Sequence, residues 1–485
     1  VSFLFLLLAL GLALSFEFVN GFHDTANAVA TVIYTNSLKP VYAVVWSGLW
    51  NLTGVLLSAG TVAFGVLALL PVELVINVGS GAGFAMVFSL LVSAIIWNVG
   101  TWYFGLPASS SHTLIGAIVG VGLANSVITA GHTFGDGVNW GKLQDTLLAL
   151  VVSPVIGFVF SALLLLILKT LVRKPELYES PDKSAPPTPW VRALLILTCT
   201  GVSFAHGSND GQKGMGLILL ILIGVVPSVY AVNTELSSKN VSALVAQTHT
   251  AGDVIKKLAG SDPVSAQDAS TTLNAYLKNG GKVTPQTYPS LAEKNDEIAA
   301  ALASKTSLAQ VPESGRTALR SAIYLVSSTI AKLNKSKAIA DADDAKTLGS
   351  YKKSLDGATN FIPLWVKFAV ALCLGLGTMI GWKRIVVTVG ERIGKSHLTY
   401  GQGASAEIVA YGTIQAADIF GLPVSTTHIL SSGVAGTMAA NHSGLQAGTL
   451  RNILLAWVLT LPVCIFLGSL LFAFGLRIVA ALGMH

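Results

Sequence analysis

FVNGFHDTANA (residues 18–28) returns at residues 204–214 as FAHGSNDGQKG, an offset of 186 positions. GLPASSSHTLIGAIVG (105–120) returns as GLPVSTTHILSSGVAG (421–436), an offset of 316. The offsets differ by 130 residues, close to the length of a polar block that runs from 233 to 360. Two homologous halves, the second carrying an insertion, explain both numbers together. Around the first motif the chain reads as membrane hydrocarbon, yet it carries Glu17, Asn20, His23, Asp24 and Asn27 within eleven positions. Polar groups so placed are costly unless they serve a site.

The bilayer is the solvent that this composition demands. Of 485 residues 52% are hydrophobic and only 11% charged, against about 25% charged in soluble domains. Windows such as 41–70, 146–168 and 453–475 are nearly free of charge, and several reach the roughly 20 apolar residues that a span needs. A soluble enzyme is excluded. The net charge of +6 is no nucleic-acid signal, because fifteen of the thirty Lys/Arg lie in the polar block among twelve acids. Cys199, Cys373 and Cys464 sit far apart in apolar windows and read as small hydrophobes, with neither a disulfide framework nor a metal site. VSFLFLLLALGLALS at the start lacks the basic flank of a signal peptide and reads as the outer half of a first membrane helix. An opening Val in place of Met implies that a few residues precede it.

The expected fold is an all-α polytopic membrane protein. It has two inverted repeats of about five membrane segments each, with broken or re-entrant helices, plus an inserted helical soluble domain. The expected units are a first transmembrane repeat (1–172), a Pro-rich cytoplasmic linker (173–192), the start of the second repeat (193–232), the inserted domain (233–360) and the rest of the second repeat (361–485). Lys/Arg in the linker and in the loop 383–395 place both inside. Five crossings per half then give ten spans and put the insertion and both termini outside. The GLP segments are either crossings or re-entrant hairpins.

Inverted-repeat transporters hold their substrate at the midplane, on broken helices from both halves. In each GLP segment, Pro107 or Pro423 is expected to end one helix. The hydroxyls Ser109, Ser110, Ser111 and Ser425, Thr426, Thr427 then start the next. Helix starts with free N–H groups and hydroxyls form an anion site, and two of them suit a tetrahedral oxyanion. His112 and His428 read as structural, bonded to the backbone of the turn. Gly116 and Gly120 read as helix packing. Asp24 and Asp210 occupy matching positions and call for a compensating cation or a proton. Asn27 offers a neutral oxygen to a hard cation, but its counterpart is Lys213, which either replaces a bound cation, contacts the anion, or pairs with Asp210. His23 matches Asn209, and Asn20 matches His206; a histidine there relays a proton or simply satisfies a helix break.

At GFHDTANA, GSNDGQKG, GLPASSSH and GLPVSTTH the chain resembles the PiT family of inorganic phosphate transporters, across both membrane halves. The resemblance implies phosphate uptake driven by a cation gradient through alternating access, in a bacterial cytoplasmic membrane. Carried over to matching positions, Asp24, Asn27 and Asp210, with His23, handle the coupling cation. Ser109, Ser110, Ser111, Ser425, Thr426, Thr427, Asn209 and Lys213 face phosphate. The chain departs from the family pattern at His23, Gln212 and Lys213, which favours protons over sodium as the coupling ion. A neutral metal–phosphate complex is an allowed substrate. No cofactor, resident metal or nucleic acid is expected; the partners are phosphate and the lipid bilayer, and a homodimer is allowed. Sodium–phosphate symport is the second expectation, with a membrane-embedded enzyme or sensor the alternative from another class.

Overall fold

The computed structural model describes all residues except 1, 25, 71–78, 130–132, 137, 182–185, 260–263, 279–280 and 484–485, together with the side chains of 2, 26, 27 and 278. Among the described residues every named element is helical. The first half holds α1 (Ser2–Asp24), α2 (Ala26–Tyr34), α3 (Pro40–Leu57), α4 (Thr61–Leu67), α5 (Gly81–Tyr103), α6 (Ser110–Ile128) and α7 (Trp140–Leu171). Next comes α8 (Pro189–Val225), followed by α9 (Pro227–Tyr230), α10 (Ser238–Ala259), α11 (Ala266–Lys278), α12 (Thr287–Leu302), α13 (Glu313–Lys335) and α14 (Ala342–Thr359). The chain closes with α15 (Leu364–Met379), α16 (Lys383–Val387), α17 (Tyr400–Ile419), α18 (Thr426–Ala440) and α19 (Ala447–Ala481).

Among the described residues seven stretches are long and apolar enough to cross a membrane, or eight if the bent pair α14–α15 counts as one. The sequence led to an expectation of ten. The shortfall lies in the second half, where α15 and α18 have only 16 and 15 residues and α17 carries Glu407 and Asp418. Enclosure explains α18, which is buried along most of its length, because a helix shielded by protein need not be apolar or long; α15 falls short by length alone, with Leu364, Phe368 and Leu372 exposed. By contrast α7 and α19 present Leu148, Val155, Leu163, Phe466, Leu470 and Phe474 outward, as helices that face lipid do.

Helices pair across the halves in matching ways. α1 packs on α15 and α3 on α8; α6 packs on α19 and α18 on α7. The motif glycines set the first two contacts. A Cβ on Gly21 would lie 2.3 Å from the Leu374 carbonyl, and one on Gly377 would lie 2.1 Å from that of Phe18. Likewise a Cβ on Gly207 would meet the Asn51 carbonyl, and one on Gly54 that of Phe204, both at 2.1 Å. Backbones so close admit only glycine, the small-residue packing of membrane helices. Gly120 does the same against Ile465 of α19, and Gly436 against Phe158 of α7, so the GxxxG reading as packing holds.

The helices α10–α14 enclose a separate apolar core that includes Leu244, Leu291, Ile323, Val326 and Tyr351. Their amphipathic faces meet one another, which accounts for a polar exterior in this stretch.

Candidate functional site

Each GLP segment is built by a glycine. Gly105 and Gly421 have φ of +66° and +64°, the left-handed conformation that closes a helix C-terminus. In the first copy, Gly105 N–H donates to Trp102 O and Leu106 N–H to Thr101 O; in the second, Gly421 N–H donates to Asp418 O and Leu422 N–H to Ala417 O. Helices α5 and α17 therefore end at the glycine, two residues before the proline that the sequence had pointed to. Ser109 and Ser425 then cap α6 and α18, their Oγ atoms accepting from His112 N–H (3.2 Å) and His428 N–H (3.1 Å).

The two turns meet inside the protein. Ser111 Oγ donates to Val424 O at 2.6 Å. The His112 and His428 rings lie 4.6 Å apart, and His428 stacks on Trp457 at 3.9 Å. These histidines hold the tips by ring packing, in place of the expected side-chain bonds to the turn. Trp457 in turn donates to Pro107 O.

Against the tips stands a buried charge cluster. Asp24 receives Thr427 Oγ1 at 2.6 Å, Ser110 Oγ at 3.3 Å and His23 Nδ1 at 3.0 Å. The other nitrogen of His23 lies 3.0 Å from Thr101 Oγ1. His206 bridges the halves: its Nε2 is 3.8 Å from Asp24 and 3.5 Å from Asp210, while Nδ1 bonds Asn51 Oδ1 at 2.7 Å. Lys213 Nζ lies 2.8 Å from Asp210 Oδ1, an ion pair with both side chains about 1% exposed. One donor atom each from Asp24, His206 and Asp210 fall within 4.8 Å of one another, a spacing that also suits a cation.

A family model described as the phosphate transporter family matches residues 20–468. The chain belongs to the phosphate transporter family. It is 43% identical to the low-affinity inorganic phosphate transporter PitA of Escherichia coli (strain K12), over 98% of this chain and 97% of that one. It is 40% identical to PitB of the same strain, with the same coverage. A solved structure titled the sodium-dependent phosphate transporter superposes with a TM-score of 0.53 at 19% identity, covering 98% of this chain and 99% of that one; it shows the shared fold.

For this member of the phosphate transporter family, the structure gathers Asp24, His23, Ser110, Thr427, Asp210 and Lys213 about His206. Thr426 is buried at the tip, and Asn209 Nδ2 donates to Leu422 O at 3.3 Å, beside the second turn. Of the six hydroxyls expected at the anion, Ser109 and Ser425 are committed as caps and Ser111 to Val424. The side chain of Asn27 lies outside the described residues. The motif 204–214 runs through unbroken α8, so the helix break expected in both copies is absent from the second.

His206, Glu17 and Asp418 enlarge the site that the sequence outlined. The repeat pairs His206 with Asn20, a cross-copy mismatch as informative as that of Asn27 with Lys213. Glu17 lies against Gly214, where a Cβ would sit 2.4 Å from its Oε1. Asp418 receives Ser208 Oγ at 2.6 Å and Gln212 Nε2 at 2.5 Å. Gln212 Oε1 accepts in turn from Val62 N–H at 2.8 Å. Gln212, one of the departures from the family pattern, thus ties α8 to α4 and α17.

Proposed function

We propose that this chain imports inorganic phosphate across the bacterial cytoplasmic membrane by proton symport. The observation that carries the reading is the buried cluster in which His206 joins Asp24 and Asp210 beneath the two hydroxyl tips. A carboxylate this deep needs a positive partner. Asp210 has a permanent one in Lys213, whereas Asp24 relies on histidines and hydroxyls that can exchange a proton. Ser110 and Thr427 reach Asp24 from the starts of two helices; with a phosphate between those starts, the same hydroxyls and free N–H groups would turn to its oxygens. Binding of the anion then favours protonation of the Asp24–His pair, which couples the two cargoes. The matched helix pairs support an inverted-repeat architecture with alternating access about this centre. The α10–α14 unit is read as a domain outside the bilayer.

Sodium–phosphate symport is the second reading, favoured by the close approach of ligand atoms from Asp24, His206 and Asp210. An imidazole with two carboxylates also suits the divalent metal of a neutral metal–phosphate complex carried as substrate. Labelled phosphate uptake into proteoliposomes under separately imposed proton and sodium gradients tests these readings. Saturable uptake driven by an inward proton gradient without sodium is expected. Uptake that responds to sodium alone overturns proton coupling, and no saturable uptake under any gradient sinks phosphate transport.

A further inference from the structure

A cavity of about 960 Å³ lies between the membrane helices and the α10–α14 unit. Its floor is the second GLP turn: Phe420 and Gly421 line it, with Thr61 and Gly65 of α4. Its roof is α13 and α14, including Arg320, Ser328 and Lys352. One ion pair ties the roof to a membrane helix, and arginine bonds tie it to the chain around α9 and to the end of α14. Lys335 pairs with Asp145 of α7 at 2.8 Å, Arg316 donates to Ser228 O, and Arg320 NH1 donates to Ala231 O and Thr359 O at 3.0 Å each.

Among the described residues the charge of the lining is positive. Lys352 is matched by Asp356, which also receives Ser327 Oγ at 2.6 Å. Asp145, the acid nearest Lys142 in sequence, is held by Lys335. Lys142 and Arg320 are left with no ion-pair partner among the described residues. The Lys142 ammonium lies beside Gly65, which itself packs on the Gly421 carbonyl, so its charge sits at the floor. Burial draws the Arg320 guanidinium down to about 10, which leaves it charged at neutral pH.

Below the floor lies a hydrogen-bonded layer on the side of the buried cluster. Thr61 Oγ1 donates to Asp418 O at 2.8 Å, and the Asp418 carboxylate is tied to Ser208 and Gln212 of α8. Ser208 and Gln212, which hold this layer, lie on the same helix as the Asp210–Lys213 pair.

We propose that this cavity is a vestibule that binds inorganic phosphate next to Lys142 and Arg320 before the Thr61–Asp418–Gln212 layer opens. A confined cavity of one sign with low-dielectric walls concentrates counter-ions and speeds their capture. The inserted unit, by this account, supplies the roof of a substrate antechamber. This inference rests on the phosphate reading of the deep site.

The test uses the full chain in proteoliposomes. Lys142→Gln is expected to raise the KM for phosphate roughly tenfold at low ionic strength, with the maximal rate kept and the difference shrinking as salt rises. Lys142→Glu is expected to raise it further. A KM unchanged in both variants overturns the vestibule, whereas absence of uptake by the parent chain overturns the deep-site reading instead. A second measurement needs no transport. With Cys373 replaced by Ser, a Ser328→Cys variant should react faster with an anionic thiosulfonate reagent than with a cationic one, and added phosphate should slow it. Lys142→Glu should invert that preference. Equal reagent rates with no phosphate protection overturn the proposal.

Discussion

Asp24 and Asp210 hold the same position in two copies of one motif, and the protein compensates them differently. Asp210 has Lys213 one turn along its own helix, at 2.8 Å. Among the described residues, Asp24 is met by neutral hydroxyls and by two histidines, one from each half. The first carboxylate is neutralised by a group that never leaves. The second is held by hydroxyls and imidazoles. The two motif copies thus differ in their partners, one acid paired with a lysine and the other with hydroxyls and imidazoles. His206 stands between them and senses both.

The sharpest way to break that comparison is Asp24→Asn. Gradient-driven phosphate uptake should fall at least about a hundredfold, the scale on which removal of an essential proton-transfer group acts, while the protein still elutes as a folded species in detergent. Retained uptake in Asp24→Asn would place coupling elsewhere. Lys213→Gln should come next, through stability more than chemistry. It leaves the Asp210 carboxylate buried without its cation, a loss of about 3–5 kcal/mol. The double variant Asp210→Asn/Lys213→Gln should regain most of it, as read from denaturation midpoints in detergent; no recovery would mean that the pair is not the unit of stability.

Lys213→Asn restores the residue type of the first copy and should make uptake respond to sodium, if the ammonium stands in for a bound ion. Identical uptake in sodium and choline media would leave Lys213 as a structural partner alone. His206→Asn, which makes the second copy match Asn20, should change the pH dependence of uptake. A preserved pH profile would remove His206 from the proton path. The smallest effects belong to the caps. Ser109→Ala and Ser425→Ala should each cost about 1 kcal/mol of stability, and by the same amount, because their capping bonds are alike. An uneven pair would show that one serine does more than cap.

Much of this was open to reading in the chain. The paired FVNGFHD and FAHGSND motifs, the two GLP turns and the polar insertion define the halves, since a duplicated gene leaves its period in the residues. Polar side chains within apolar windows mark the site, because only function keeps them there. The helix stops were misplaced onto Pro107 and Pro423, where Gly105 and Gly421 act: proline marks where a helix cannot continue, but the left-handed glycine closes it earlier. Length and composition pick out seven or eight candidate spans among the described residues against the ten expected, because they register lipid exposure and the short α18 is enclosed by protein.

By itself the sequence determined the class of the protein, its duplication, the acids at 24 and 210, and the family to which it belongs. Each of these rests on local composition or on the spacing of repeats. Only the tertiary structure decided which groups touch. His206 reaches Asn51 because Gly207 and Gly54 let α8 and α3 approach backbone to backbone, and Thr427 reaches the Asp24 carboxylate from 403 residues away. Pairing across that distance is set by packing of surfaces from both halves, and no stretch of chain carries it alone.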